Sequence, residues 1–93
     1  MVVVTFKLHC KSGKRLEINQ SLTGIAAKVK KLDGCRESKV YQDIEDESIF
    51  FLVEEWQTQR HLDDHMKTSL FAALLGIDEL LIKKPEIMFM NEG

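Results

Sequence analysis

Proline is nearly absent from this chain, with one residue in 93, and glycine is sparse at five. Linkers and disordered tails are built from such residues or from long runs of one charge, and neither occurs here. The chain is instead 44% hydrophobic, enough apolar surface to offset the entropy of ordering one domain, taken as residues 1–93. Only two cysteines are present, Cys10 and Cys35, with no CxxC spacing and no disulfide framework. They are expected to be small packed thiols of a reducing compartment. No apolar run approaches the roughly 18 residues of a membrane span, and Met1-Val2-Val3-Val4 lacks the basic flank of a signal peptide. The expected location is the cytoplasm, with no membrane partner. Thirteen basic and fifteen acidic residues are intermixed, so no electropositive footprint for nucleic acid emerges. Also missing are GxSxG, a glycine-rich phosphate loop and a dinucleotide fingerprint, so no nucleotide or flavin cofactor is indicated.

What is present is periodicity. From Val2 to Cys10 the even positions Val2, Val4, Phe6 and Leu8 are apolar while Thr5, Lys7 and His9 fall between them, the period of a strand. From about Arg15 the residues Ile18, Leu22, Ile25, Val29 and Leu32 recur at helical spacing, and Asp33-Gly34 supplies the stop. Gly24 inside that helix suggests a bend or a close approach. Strands are expected over Cys35 to Asp43 and Ser48 to Trp56, joined as a hairpin through Glu45-Asp46-Glu47. Thr58 can cap a helix that Thr68-Ser69 interrupts or re-caps and that ends at Lys83-Lys84-Pro85. A fourth strand follows over Glu86 to Met90.

The order βαββαβ is that of an α+β, ferredoxin-like fold with an antiparallel sheet and helices on one face. Both faces of its strands are apolar: Ile49, Phe51 and Val53 oppose Phe50, Leu52 and Trp56, and Ile87 and Phe89 oppose Met88 and Met90. Helices cover one face only, and a wetted second face would be polar. A second copy packed sheet to sheet, forming a homodimer, is the simplest cover.

Trp56 closes the third strand, and His65 lies on the dry side of the next helix. One reading is a pocket between sheet and helix, walled by Trp56, Leu52 and Phe71, with His65 as the polar group that binds or deprotonates a flat organic molecule. The other is a structural tryptophan and a core histidine bonded to a backbone carbonyl. His61 and His65, at i and i+4 beside Asp64, have a metal-compatible spacing but no third ligand, so no metal is assigned. Glu54 and Glu55 point to opposite faces of one strand and cannot form a carboxylate dyad. Cys10 and Cys35 have no evident histidine partner that would make either a nucleophile.

Gly34-Cys35, Val40-Tyr41-Gln42-Asp43, Phe51-Leu52-Val53-Glu54-Glu55-Trp56, Leu62-Asp63-Asp64-His65-Met66, Ser69-Leu70-Phe71 and Pro85-Glu86-Ile87 follow one another over nearly the whole chain. In that order they resemble the antibiotic biosynthesis monooxygenase family of dimeric α+β barrel proteins. The resemblance implies a homodimer with sheets face to face. It also implies a cofactor-independent monooxygenase that brings a quinol or polycyclic phenol together with O₂. In that chemistry an electron-rich phenolate reduces O₂ itself, so the protein need only deprotonate and orient the substrate and exclude water. Under this resemblance His65 accepts the proton, Trp56 and Phe71 stack on the ring, Leu52 walls the pocket, and Glu55 orients a polar group or turns into the dimer interface. The family also contains an autoinducer-processing isomerase, so an isomerase or lyase acting on a phosphorylated sugar-like molecule is a second reading. A non-catalytic dimeric ligand-binding module is a third. The chain departs from many relatives at Ser38, where they carry a tyrosine. It also lacks the haem-degrading pattern, having His65 and Leu75 at that branch's tryptophan and histidine positions and no asparagine from Val2 to Cys10.

Overall fold

The computed structural model describes residues 1–91. Strand β1, Val2–His9, buries Val2, Val4, Phe6 and Leu8 and leaves the alternate residues half exposed, as a strand with one packed face must. Cys10 lies just beyond it in an isolated bridge to Leu81. Helix α1, Arg15–Val29, buries Ile18, Leu22, Ala26 and Val29. Ile25 and Leu32, expected on that stripe, are only partly buried, because Ala26 takes the inward position and the helix ends before Leu32. Gly24 meets no neighbour, so the close approach expected there is absent. Gly34, with φ of 81°, turns the chain into β2, Cys35–Gln42.

The acidic link to β3, Ile49–Trp56, is held by its own side chains. Asp43 accepts from the backbone N–H groups of Glu45 and Asp46, and Asp46 accepts from that of Ser48. These carboxylates act as turn formers. The second helical region is two helices: α2, Gln59–His65, and α3, Ser69–Leu75, followed by a 3₁₀ turn at Gly76–Leu80. Thr58 and Thr68 each accept a backbone N–H at a helix start, so Thr68 re-caps the chain in a new direction. Strand β4 runs Glu86–Asn91.

The sheet order is β2-β3-β1-β4, every pair antiparallel. Helix α1 packs on β2 and α3, and α2 packs on β3. The core lies between this helix layer and the inward rows of β1 and β3. The helices do not reach β4. Its register puts Ile87 and Phe89 on the helix side, opposite Phe6 and Val4, yet both remain exposed, at 38% and 58%. On the open face lie Tyr41, Phe51, Met88 and Met90, the row expected to need cover. No described helix is long and apolar enough to cross a membrane.

Candidate functional site

Alternation along β3 sends Phe50, Leu52, Glu54 and Trp56 toward the helices, all buried. The chain then turns at Thr58, whose hydroxyl caps α2, and one helix later His65 returns over the same end of the sheet. The imidazole stacks on the indole of Trp56, ring centroids 4.8 Å apart and planes 23° apart. Phe71, on α3, meets the other side of His65 edge-on at 5.9 Å and leans on Phe6 at 6.1 Å. Three aromatic neighbours therefore hold one buried histidine in place.

Beneath this stack sits Glu54, wholly buried. Its Oε1 accepts the indole N–H of Trp56 at 3.1 Å and lies 3.3 Å from Nε2 of His65, a close approach that stops short of hydrogen-bond alignment. Its Oε2 has no partner, nor has the hydroxyl of Ser38, the residue directly across from Glu54 on β2. Burying an acid with so few donors costs several kcal/mol and is a poor way to stabilise a fold. Such clusters mark places where polar groups are kept for use.

A cavity of about 150 Å³ opens beside the stack. Trp56 and Leu32 form its apolar wall, His65 and Thr68 its inner end, and Asp33, His61 and Asp64 its mouth. His61 is fixed there through Nδ1, 2.7 Å from the Thr58 hydroxyl, while its Nε2 lies 3.7 Å from Asp33. Among the described residues no group of three or more His, Cys, Asp or Glu is placed to hold a metal ion. A larger groove of about 470 Å³ runs between α1 and the edge strand β2, past Leu16, Val40 and Tyr41, and contains neither Trp56 nor His65.

The expected site residues thus fall into three groups. His65 and Trp56 meet and line the cavity. Leu52 and Phe71 do not line it: Leu52 is core packing, and Phe71 braces His65 from behind. Glu55 does not face the cavity at all. It sits half-exposed on the open face between Glu37 and Val3, because strand alternation turns it away from Trp56 and His65. The carboxylate that reaches His65 is its neighbour Glu54. The alternation itself held that signal, since an acid in the row Phe50, Leu52, Trp56 must find a partner.

The thiols are placed for packing. Burial foremost, and then the charge of Glu54, push the Cys35 thiol up to about 11, and burial also raises Cys10. At neutral pH both stay protonated and poorly nucleophilic.

Three relatives of solved structure share this arrangement of elements. A conserved protein from Methanosarcina mazei Go1 is 27% identical, with a TM-score of 0.91, over 99% of this chain and 92% of its own. A candidate antibiotic biosynthesis monooxygenase from Deinococcus radiodurans superimposes with a TM-score of 0.91 at 21% identity, over 100% of this chain and 93% of its own. Rv0793 from Mycobacterium tuberculosis matches with a TM-score of 0.88 at 18% identity, over 98% of this chain and 93% of its own. No match was found among curated proteins. The sequence model of the antibiotic biosynthesis monooxygenases matches residues 1–75, from β1 through the end of α3 and so across the whole Glu54, Trp56 and His65 cluster; the chain belongs to that family.

Proposed function

We propose that this protein is a cofactor-independent monooxygenase acting on a single-ring quinol, with His65 as the base. The observation that carries the reading is the buried imidazole of His65 stacked on Trp56 at the inner end of a small cavity. A flat phenol entering beside Trp56 brings its hydroxyl to His65. Loss of that proton leaves an electron-rich phenolate, and the dry wall of Leu32 and Trp56 protects it from competing reactions with water. The quinol then gives up two hydrogens and gains one oxygen atom from O₂ to become a hydroxyquinone, and the other oxygen atom leaves as water. The cavity volume, about 150 Å³, is below the roughly 300 Å³ at which drug-sized pockets begin, which favours one ring over a polycyclic phenol.

The isomerase or lyase reading is weaker here. A phosphorylated substrate calls for cationic recognition, and the cavity lining contains Asp33 and Asp64 but neither lysine nor arginine. The binding-module reading differs in leaving O₂ unconsumed. The working unit in this proposal is a homodimer packed through the open sheet face, where Tyr41, Met88 and Met90 are at least half exposed. That area is too apolar to leave wet.

Oxygen uptake measured with a panel of single-ring quinols tests the chemistry. Uptake by the wild type that falls at least about 100-fold in His65→Ala is the expected result, the scale of a general base. Undiminished uptake removes His65 from the reaction, and no uptake with any quinol removes the oxygenase reading.

A further inference from the structure

We propose that Glu54 is the positioning residue of His65, holding it as the tautomer protonated on Nε2, so that Nδ1 is the atom that takes the substrate proton. The catalytic clause rests on His65 being the base; the tautomer does not.

The argument starts from the donors and acceptors around the ring. The indole N–H of Trp56 can only donate, and it donates to Oε1 of Glu54. That oxygen is therefore established as an acceptor, and Nε2 of His65 faces it at 3.3 Å. A proton on Nε2 points at an acceptor, whereas a lone pair there would point at another lone pair in a buried site. The second nitrogen faces a different group. Nδ1 lies 3.4 Å from the Thr68 hydroxyl oxygen. That hydroxyl has one proton, and it donates it to the backbone carbonyl of His65 at 2.6 Å. The same oxygen accepts the N–H of Phe71. Thr68 thus has no proton left for Nδ1, and the Nδ1 lone pair stays free on the side where Thr68 and His65 together line the cavity.

The consequence is a division of labour between the two nitrogens. When substrate arrives, its hydroxyl proton moves to Nδ1 and the O–H bonding pair remains on the substrate oxygen. The imidazolium so formed keeps its Nε2–H directed at Glu54, whose carboxylate lies where the new positive charge develops. Stacking on Trp56 and the edge contact with Phe71 prevent the ring from turning over to exchange the two nitrogens. Misalignment of the Nε2 to Oε1 contact in the resting protein is of the kind that tightens as charge builds up.

The test needs no substrate. In uniformly ¹⁵N-labelled protein, long-range proton–nitrogen correlation distinguishes a protonated ring nitrogen from an unprotonated one. The wild-type spectrum should show His65 with Nε2 protonated and Nδ1 free. The reverse assignment overturns the proposal from the wild type alone, even if a variant fails to fold. In Glu54→Leu, the tautomer preference should be lost and the single indole N–H resonance, that of Trp56, should move as its acceptor disappears. An unchanged His65 pattern in a folded Glu54→Leu overturns it as well. Glu54→Gln, which keeps the volume, adds a kinetic arm. Because Glu54 does not line the cavity, kcat should fall at least about tenfold with KM little changed. A rise in KM at constant kcat would place Glu54 in substrate binding and refute the positioning role. If the tautomer is found as stated but no quinol is consumed, the positioning stands and the oxygenase reading alone fails.

Discussion

Replacing Gly34 by alanine should cost well over what the same change costs at Gly13, although both glycines have φ of 81°. At Gly13 an added Cβ meets nothing within 4 Å, so only the left-handed backbone opposes it, at roughly 1–2 kcal/mol. At Gly34 the same atom would lie 2.2 Å from Cδ2 and Cγ of His61 and 2.7 Å from its Cβ. Turning the ring can clear the first two contacts but not the third, because His61 Cβ is fixed to the backbone of α2. The helix start must move, against the Thr58 cap and the hydrogen bond from the Gln57 N–H to the Gly34 carbonyl at 2.8 Å. Forced overpacking of this kind adds about 1–3 kcal/mol. Urea unfolding at one fixed protein concentration should therefore rank wild type above Gly13→Ala and Gly13→Ala above Gly34→Ala. In a domain of this size the second gap corresponds to roughly 4–24 °C in Tm. His61→Ala in the Gly34→Ala background should recover the extra loss and leave only the backbone penalty. Equal losses at the two glycines, or no recovery with His61→Ala, would show that Gly34 does not set the position of His61 at the cavity mouth.

Gly24→Ala, by contrast, should stabilise the protein by about 1 kcal/mol in thermal melts, since the position is exposed, helical and free of neighbours. Leu22→Ala removes a fully buried side chain from the α1 stripe and should cost about 2–5 kcal/mol in denaturant titration. The Cys35 thiol, raised to about 11 from 9.0 chiefly by burial, should react slowly with iodoacetamide at pH 7 and faster only as the pH nears that value. Its raised folded value also means that its contribution to stability is full below pH 9 and is lost as the pH rises from 9 through about 11. Met88→Lys puts a charge on the open sheet face opposite Thr5 and should shift the protein from dimer to monomer in light scattering. A wild type that is already monomeric would refute the sheet-to-sheet assembly.

The strands were legible because one side of each is dry: the alternation of β1 in the sequence is the alternation of its burial in the fold. The second helical region was less so. Leu70, Phe71, Leu74 and Leu75 continue an apolar surface across Thr68, and periodicity alone does not say that a capping hydroxyl has started a new helix there. Nor does it show that the layer stops short of β4, where Ile87 and Phe89 stay exposed on the helix side.

At the site the same alternation was read only in part. His65 and Trp56 were accessible from their dry positions, and Glu55 was chosen for lying next to Trp56. Adjacency along a strand is the wrong measure, since neighbouring residues point to opposite faces and alternate ones share a face. By that rule Glu54 belongs with Phe50, Leu52 and Trp56. An acid in that row is more informative than any of its apolar neighbours, because they need only burial while it needs donors. Two donors on the chain come back to that end of the sheet: the indole two residues on, and the imidazole at the close of the next helix. What no pattern in the sequence holds is the cavity volume, which depends on how closely the rings of Trp56, His65 and Phe71 settle on one another. The chemistry of the site is thus written in residue order, and the size of the molecule it admits is decided by packing.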